Sequence, residues 1–127
     1  MKQRILVVED EAPVRLLIEK ILTLAGYEVV SAGDGMSAIR TARETPPDAV
    51  VCDLTMPGID GYQVCAMFKR DKSFKAPIIV LSGRVRDKDV KAALDAGADT
   101  FLSKPVNREE LLAKLKELLT PPAEPQT

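Results

Sequence analysis

Ile5-Leu6-Val7-Val8-Glu9-Asp10-Glu11 is a run of four apolar residues followed at once by three acids. An apolar run this short and continuous suits a strand covered on both faces, as in a parallel sheet. Similar stretches recur along the chain: Tyr27 to Ala32, Ala49 to Leu54, Pro77 to Leu81 and Thr100 to Leu102 read as four more strands. The segments between them have helical spacing. Val14, Leu17, Ile18, Ile21 and Ala25 share one face, with Pro13 in the first turn and Gly26 just past the end. A second helix opens at Asp34-Gly35, carries Met36, Ile39 and Ala42, and is closed by Pro46-Pro47. After the turn Met56-Pro57-Gly58, Asp60 and Gln63 have the spacing of a capping box ahead of Val64, Met67 and Phe68. Asp87 to Ala96 is a fourth helix stopped by Gly97, and Asn107 and Glu110 cap a fifth that packs Leu111, Leu112, Leu115, Leu118 and Leu119.

Five strands alternating with five helices predict a doubly wound α/β fold, a parallel sheet with helices on both faces. Right-handed crossovers reduce the topologies to a few, and periodicity alone does not choose among them. The 127 residues are one domain's worth, enough to bury a core without staples. The tail Thr120-Pro121-Pro122-Ala123-Glu124-Pro125-Gln126-Thr127 reads as a flexible end or the start of a linker, which sets the expected division at 1–119 and 120–127.

Composition excludes several kinds of chemistry. The formal net charge of −1 argues against non-specific binding to nucleic acid or an anionic membrane. No apolar run approaches the ~20 residues that span a bilayer, and Ile5 to Val8 is too short for a signal peptide, so the expected location is the cytoplasm. The chain has no histidine, which removes Ser-His and Cys-His nucleophilic machinery. Its two cysteines, Cys52 and Cys65, lie in apolar surroundings and read as small buried thiols; without histidine they make no zinc site of ordinary type.

In open α/β sheets, ligands bind beyond the carboxyl ends of the strands. The first strand here ends in Glu9-Asp10-Glu11, the third in Asp53, the fourth in Ser82 followed by Gly83, and the fifth runs into Ser103-Lys104-Pro105. Taken singly, each has an ordinary use. The acids suit a helix N-terminus, Asp53 suits a turn, Ser82 suits a cap, and Lys104 suits the solvent. Together they suggest more. Glu9, Asp10 and Asp53 would repel one another if the first and third strands are neighbours. Mg²⁺, which takes oxygen ligands with one or two direct carboxylates, would relieve that repulsion.

These fragments, with Leu54-Thr55-Met56-Pro57-Gly58-Ile59-Asp60-Gly61, Ile78-Ile79-Val80-Leu81-Ser82-Gly83, Ala96-Gly97-Ala98-Asp99 and Phe101-Leu102-Ser103-Lys104-Pro105, resemble the receiver domain of two-component response regulators over about residues 3–119. Each fragment is weak alone, but their order and spacing are specific. The resemblance implies the flavodoxin-like strand order 2-1-3-4-5; the chemotaxis member of this family is a standing example of that order. It implies that Asp53 accepts a phosphoryl group as an acyl phosphate. It also implies that Mg²⁺ is bound by Asp10 directly, by Glu9 through water, by an Asp53 oxygen and by the Thr55 backbone carbonyl. Lys104 would pair with Asp53 and then with a phosphoryl oxygen, and the Lys104–Pro105 peptide would be cis. Ser82 would donate its hydroxyl to that oxygen, with Gly83 leaving room and Phe101 rotating as the switch aromatic.

The implied partners are a sensor histidine kinase or phosphotransfer protein and a downstream output domain or protein, with a phosphorylation-dependent dimer possible. The readout surface would be the fourth helix, fifth strand and fifth helix. Such a domain is a regulator whose only chemistry is its own phosphorylation and dephosphorylation, and Thr55 and Arg84 flank the pocket where they would tune the latter.

Two other functions compete with this one. An aspartate-nucleophile phosphatase needs a second acid two residues after its nucleophile, and Thr55 stands there. A receiver-fold scaffold that is never phosphorylated is the other, and the intact set Glu9, Asp10, Asp53, Ser82 and Lys104 argues against it.

Overall fold

The computed structural model describes residues 2–54, 56, 58, 60–83 and 87–119, with the backbone alone at 87 and 88. Among them are β1 Arg4–Val8, α1 Ala12–Leu24, β2 Glu28–Ala32, α2 Gly35–Glu44, β3 Ala49–Asp53, α3 Gly61–Arg70, β4 Ile78–Ser82, α4 Asp87–Ala96, β5 Thr100–Ser103 and α5 Arg108–Leu119. The turn residues Thr55 and Pro57, the flanking Arg84 and the tail 120–127 lie outside the described residues.

The sheet is parallel throughout, in the order β2-β1-β3-β4-β5. Side chains alternate across it, as strand geometry requires. Leu6, Val8, Val50, Cys52, Ile78 and Val80 face one way and pack under Ile39 of α2, Val64, Cys65 and Phe68 of α3, and Ala93 of α4. Ile5, Val7, Ala49, Val51, Ile79 and Leu81 face the other way, against Ile18, Ile21 and Leu22 of α1 and Leu111 and Leu115 of α5. Both faces are thus dry, which is why the strands read as unbroken apolar runs. Leu112, Leu118 and Leu119 are partly buried at the edge of the second layer. Both cysteines are free and buried in the first layer.

Helix ends follow the expected chemistry, with small shifts in strand bounds. Gly26, at φ 97°, takes the left-handed position after α1. Its N–H donates to the Thr23 carbonyl and that of Tyr27 to the Leu22 carbonyl, each at 3.1 Å. That is a Schellman cap. It occupies Tyr27, so β2 starts one residue later than the apolar pattern suggests. Asp34 caps α2 by accepting from the Ser37 N–H at 2.8 Å. The Asp60–Gln63 capping box forms at α3 with both bonds at 3.0 Å. Ser82 is the last residue of β4, and β5 runs one residue further than the apolar pattern suggests, pairing Ser103 with Ser82.

Candidate phosphoacceptor site

The carboxyl ends of β1, β3, β4 and β5 meet at one edge of the sheet. Strand pairing sets their spacing: β1 and β4 flank β3, so the residues at their tips lie beside Asp53. Three polar side chains there are buried, Glu9 at 1%, Asp53 at 4% and Ser82 at 1% exposure. Burial of three polar groups together is costly unless they are paired.

Carboxylate oxygens of Glu9, Asp10 and Asp53 lie within 4.8 Å of one another. Lys104 reaches in from the loop after β5, its Nζ 2.8 Å from Glu9 Oε1 and 3.2 Å from Asp53 Oδ1. Its backbone N–H donates to the Ser82 carbonyl at 2.8 Å, which continues the β4–β5 pairing one step past the strand. The Lys104–Pro105 peptide is cis, as the resemblance implies.

One ammonium does not balance three carboxylates. Two like charges about 4 Å apart repel by about 4 kcal/mol at an effective dielectric of 20. Burial, then the hydrogen bond with Asp53, push the pKa of Glu9 up to about 7 in spite of Lys104. For Lys104, burial works against the charge, but the contacts with Glu9 and Asp53 outweigh it and hold the pKa above the usual lysine value. Glu9 Oε2 is buried without a hydrogen-bond partner. A buried carboxylate oxygen without a donor, next to two more acids, fits a hard divalent cation, whose ligands are oxygens.

The approach of α3 is equally specific. Gly61 opens that helix and donates its N–H to the Leu54 carbonyl at 2.9 Å. A Cβ at Gly61 would stand 2.6 Å from the Asp53 backbone oxygen, so a side chain there would displace the acid-bearing strand end. Gly83 is different: nothing described lies within 4 Å of where its Cβ would be. Phe101 is half-buried on β5, across from Val80, and packs on the α2–α4 side of the sheet rather than in the acid cluster.

The structure therefore brings together Glu9, Asp10, Asp53, Ser82 and Lys104, places Phe101 against the first apolar layer, and does not describe Thr55. Reasoning on the sequence paired Lys104 with Asp53 alone and missed its shorter contact with Glu9. It also missed Arg15, whose Nη1 donates to the Glu9 carbonyl at 2.9 Å. An arginine one turn into the helix after an acidic strand tip is the signal that was available.

Comparison with known proteins agrees with this geometry. A family model described as "Response regulator receiver domain" matches residues 5–116. The transcriptional regulatory protein TcrA of Mycobacterium tuberculosis is 43% identical over 115 residues, which is 91% of this chain and 45% of that protein. The chain spans about half the length of the curated relatives it matches. A chemotaxis protein of Vibrio cholerae superposes with a TM-score of 0.89 at 29% identity, covering 94% of this chain and all of that one. The receiver domain of a sensor histidine kinase from Pseudomonas aeruginosa has a magnesium ion coordinated in its active-site cleft. It superposes with a TM-score of 0.86 at 32% identity, covering 94% of this chain and 98% of that one.

Proposed function

The chain belongs to the response regulator receiver family, phosphoacceptor domains with an acidic metal-binding pocket, and from that premise we propose that Asp53 is the residue that takes the phosphoryl group. The observation that carries the proposal is the position of Lys104 Nζ between Glu9 and Asp53, beside a buried Glu9 oxygen that has no donor.

Asp10 would bind Mg²⁺ directly and Glu9 through water, with an oxygen from Asp53 and the backbone carbonyl of Thr55. When bound, the ion supplies positive charge for the oxygens of the incoming phosphoryl group. The chain's own residues do the rest. An Asp53 carboxylate oxygen attacks phosphorus as the bond from phosphorus to the donor breaks, leaving an acyl phosphate on Asp53. Lys104 passes from the Asp53 oxygen to a phosphoryl oxygen and offsets the charge that arrives. Ser82, buried at the end of β4, donates its hydroxyl to that phosphoryl oxygen once it has arrived.

A phosphoryl group adds about −1.5 to −2 charges. Movement of Ser82 toward it would pull the segment before α4, and Phe101 would rotate into the space released. The readout is the α4–β5–α5 face. Arg84 and Thr55 tune loss of the phosphoryl group. The donor is a sensor histidine kinase or a phosphotransfer protein, and the receiver of the signal is an output domain or protein, with dimerisation through the switched face as one route. Residues 1–119 form the receiver unit and 120–127 a tail or linker. The setting is the cytoplasm; in keeping with it, no helix of the described residues is long and apolar enough to cross a membrane.

The test is incubation with acetyl phosphate and Mg²⁺ followed by intact mass measurement. Wild type is expected to gain one phosphoryl mass and Asp53→Asn none. A chain that never gains the mass, or an Asp53→Asn variant that still does, would overturn the proposal.

A further inference from the structure

The tip Glu9-Asp10-Glu11 holds two of the three clustered acids, yet it lacks the usual helix cap. Glu11 is the N-cap of α1 and its side chain makes no capping hydrogen bond. The Arg15 side chain reaches back to the tip instead: its Nη1 donates to the Glu9 carbonyl at 2.9 Å, while its backbone N–H makes the ordinary first helix bond of α1 to the Glu11 carbonyl at 2.9 Å. Asp10 lies between those two carbonyls. The Glu9 N–H is held in turn by the Ala32 carbonyl at 3.1 Å. The guanidinium passes beside exposed Gly33, where a Cβ would stand 3.4 Å from Nη1.

We propose that Arg15 is a positioning residue, a clip that fixes the β1 tip so that Glu9 and Asp10 present their carboxylates to one cation. The proposal rests on the metal-site reading above and adds a residue that touches neither the metal nor the phosphoryl group. Groups that orient metal ligands from behind typically change affinity by about tenfold or more when removed. The sign of the effect separates this role from a simpler one. As a charge alone, a guanidinium near three acids disfavours a cation, so its removal would tighten binding. As a clip, its removal lets the tip move and weakens binding.

Mn²⁺ is the probe, titrated into the whole chain and followed by the electron paramagnetic resonance signal of the free ion. Wild type is compared with Arg15→Met, Arg15→Lys and Gly33→Val, each shown folded by circular dichroism. Arg15→Met keeps the apolar stem and the backbone bond to Glu11 and loses the charge and the side-chain donor to Glu9. Gly33 is not at positive φ, so Gly33→Val is open to the backbone. That variant crowds the guanidinium while leaving Arg15 and every acid in place. Arg15→Met and Gly33→Val should bind Mn²⁺ about tenfold more weakly, with Arg15→Lys recovering part of the loss. The ¹³C shift of the Glu9 carbonyl should move in both weakened variants. Should Arg15→Met fail to fold, Gly33→Val alone carries the test. Mn²⁺ binding that is unchanged or tighter in the folded variants overturns the clip and leaves the metal site standing. Wild type that takes up no Mn²⁺ overturns both.

Discussion

β4 has an acid–lysine contact at each end, and the two are built differently. Near its start, Asp99 accepts the Ile78 N–H at 2.7 Å and lies 3.7 Å from Lys69 Nζ, with both side chains more than a third exposed. Asp99 Oδ2 takes both contacts, and one ammonium faces one carboxylate. At its end, Lys104 faces Glu9 and Asp53 with Asp10 close by, and Glu9 Oε2 is left without a donor. The first contact closes a loop onto the sheet. The second is in excess negative charge and buried, an arrangement that stability alone would not favour. Chemistry belongs to the contact whose charges do not balance.

The largest effect should separate the two lysines. Lys104→Ala is expected to slow phosphorylation from acetyl phosphate by a hundredfold or more, an order set by the loss of one transition-state charge contact. Lys69→Ala should leave that rate unchanged and alter stability by less than about 1 kcal/mol, as for an exposed pair. Equal effects from the two would break the comparison. Timed intact-mass measurements and urea unfolding of both variants decide it.

Removing an acid should have opposite signs at the two ends. Asp99→Ala leaves the Ile78 N–H, on a fully buried residue, without its partner and should cost about 1–3 kcal/mol. Asp10→Asn relieves repulsion in the cluster and should stabilise the metal-free chain by about 1 kcal/mol, the scale for two unit charges about 4 Å apart in water. Urea unfolding in the presence of a chelator reads both. Loss of stability in Asp10→Asn would show that the cluster is balanced after all.

Function depends least on Cys65, which lies beside the closed contact. Burial, ahead of the opposing influence of Lys69, pushes its thiol up to about 11. Iodoacetamide should therefore label it in the folded chain at least about a hundredfold more slowly at pH 8 than in urea, since two pKa units lower the thiolate fraction by that factor and burial also bars the reagent. Fast labelling at pH 8 would mean that this side of α3 is open.

Much of this architecture is legible in the residues, and for a physical reason. Strands dry on both faces are uninterrupted apolar runs, so Ile5 to Val8 and Ile78 to Leu81 stand out without any knowledge of their partners. The acids follow such runs directly, which locates Glu9, Asp10 and Asp53 at strand tips. Contacts that depend on how far a side chain reaches are not legible in this way. Lys104 lies 95 residues from Glu9, and nothing in the order of residues says that its ammonium reaches both Glu9 and Asp53. Arg15 reads as an exposed helix residue until the helix is placed against the β1 tip. Ser82 reads as a cap hydroxyl at the strand tip, and its register with Ser103 is a long-range pairing that the residues alone do not show.

The most direct test traps the product. The chain is treated with acetyl phosphate and Mg²⁺, reduced with borohydride, digested and mapped by tandem mass spectrometry; reduction turns a phosphorylated aspartate into homoserine. Homoserine at position 53 alone is the predicted result. Homoserine at Asp10 or elsewhere, or at no position although the metal was present, would contradict it.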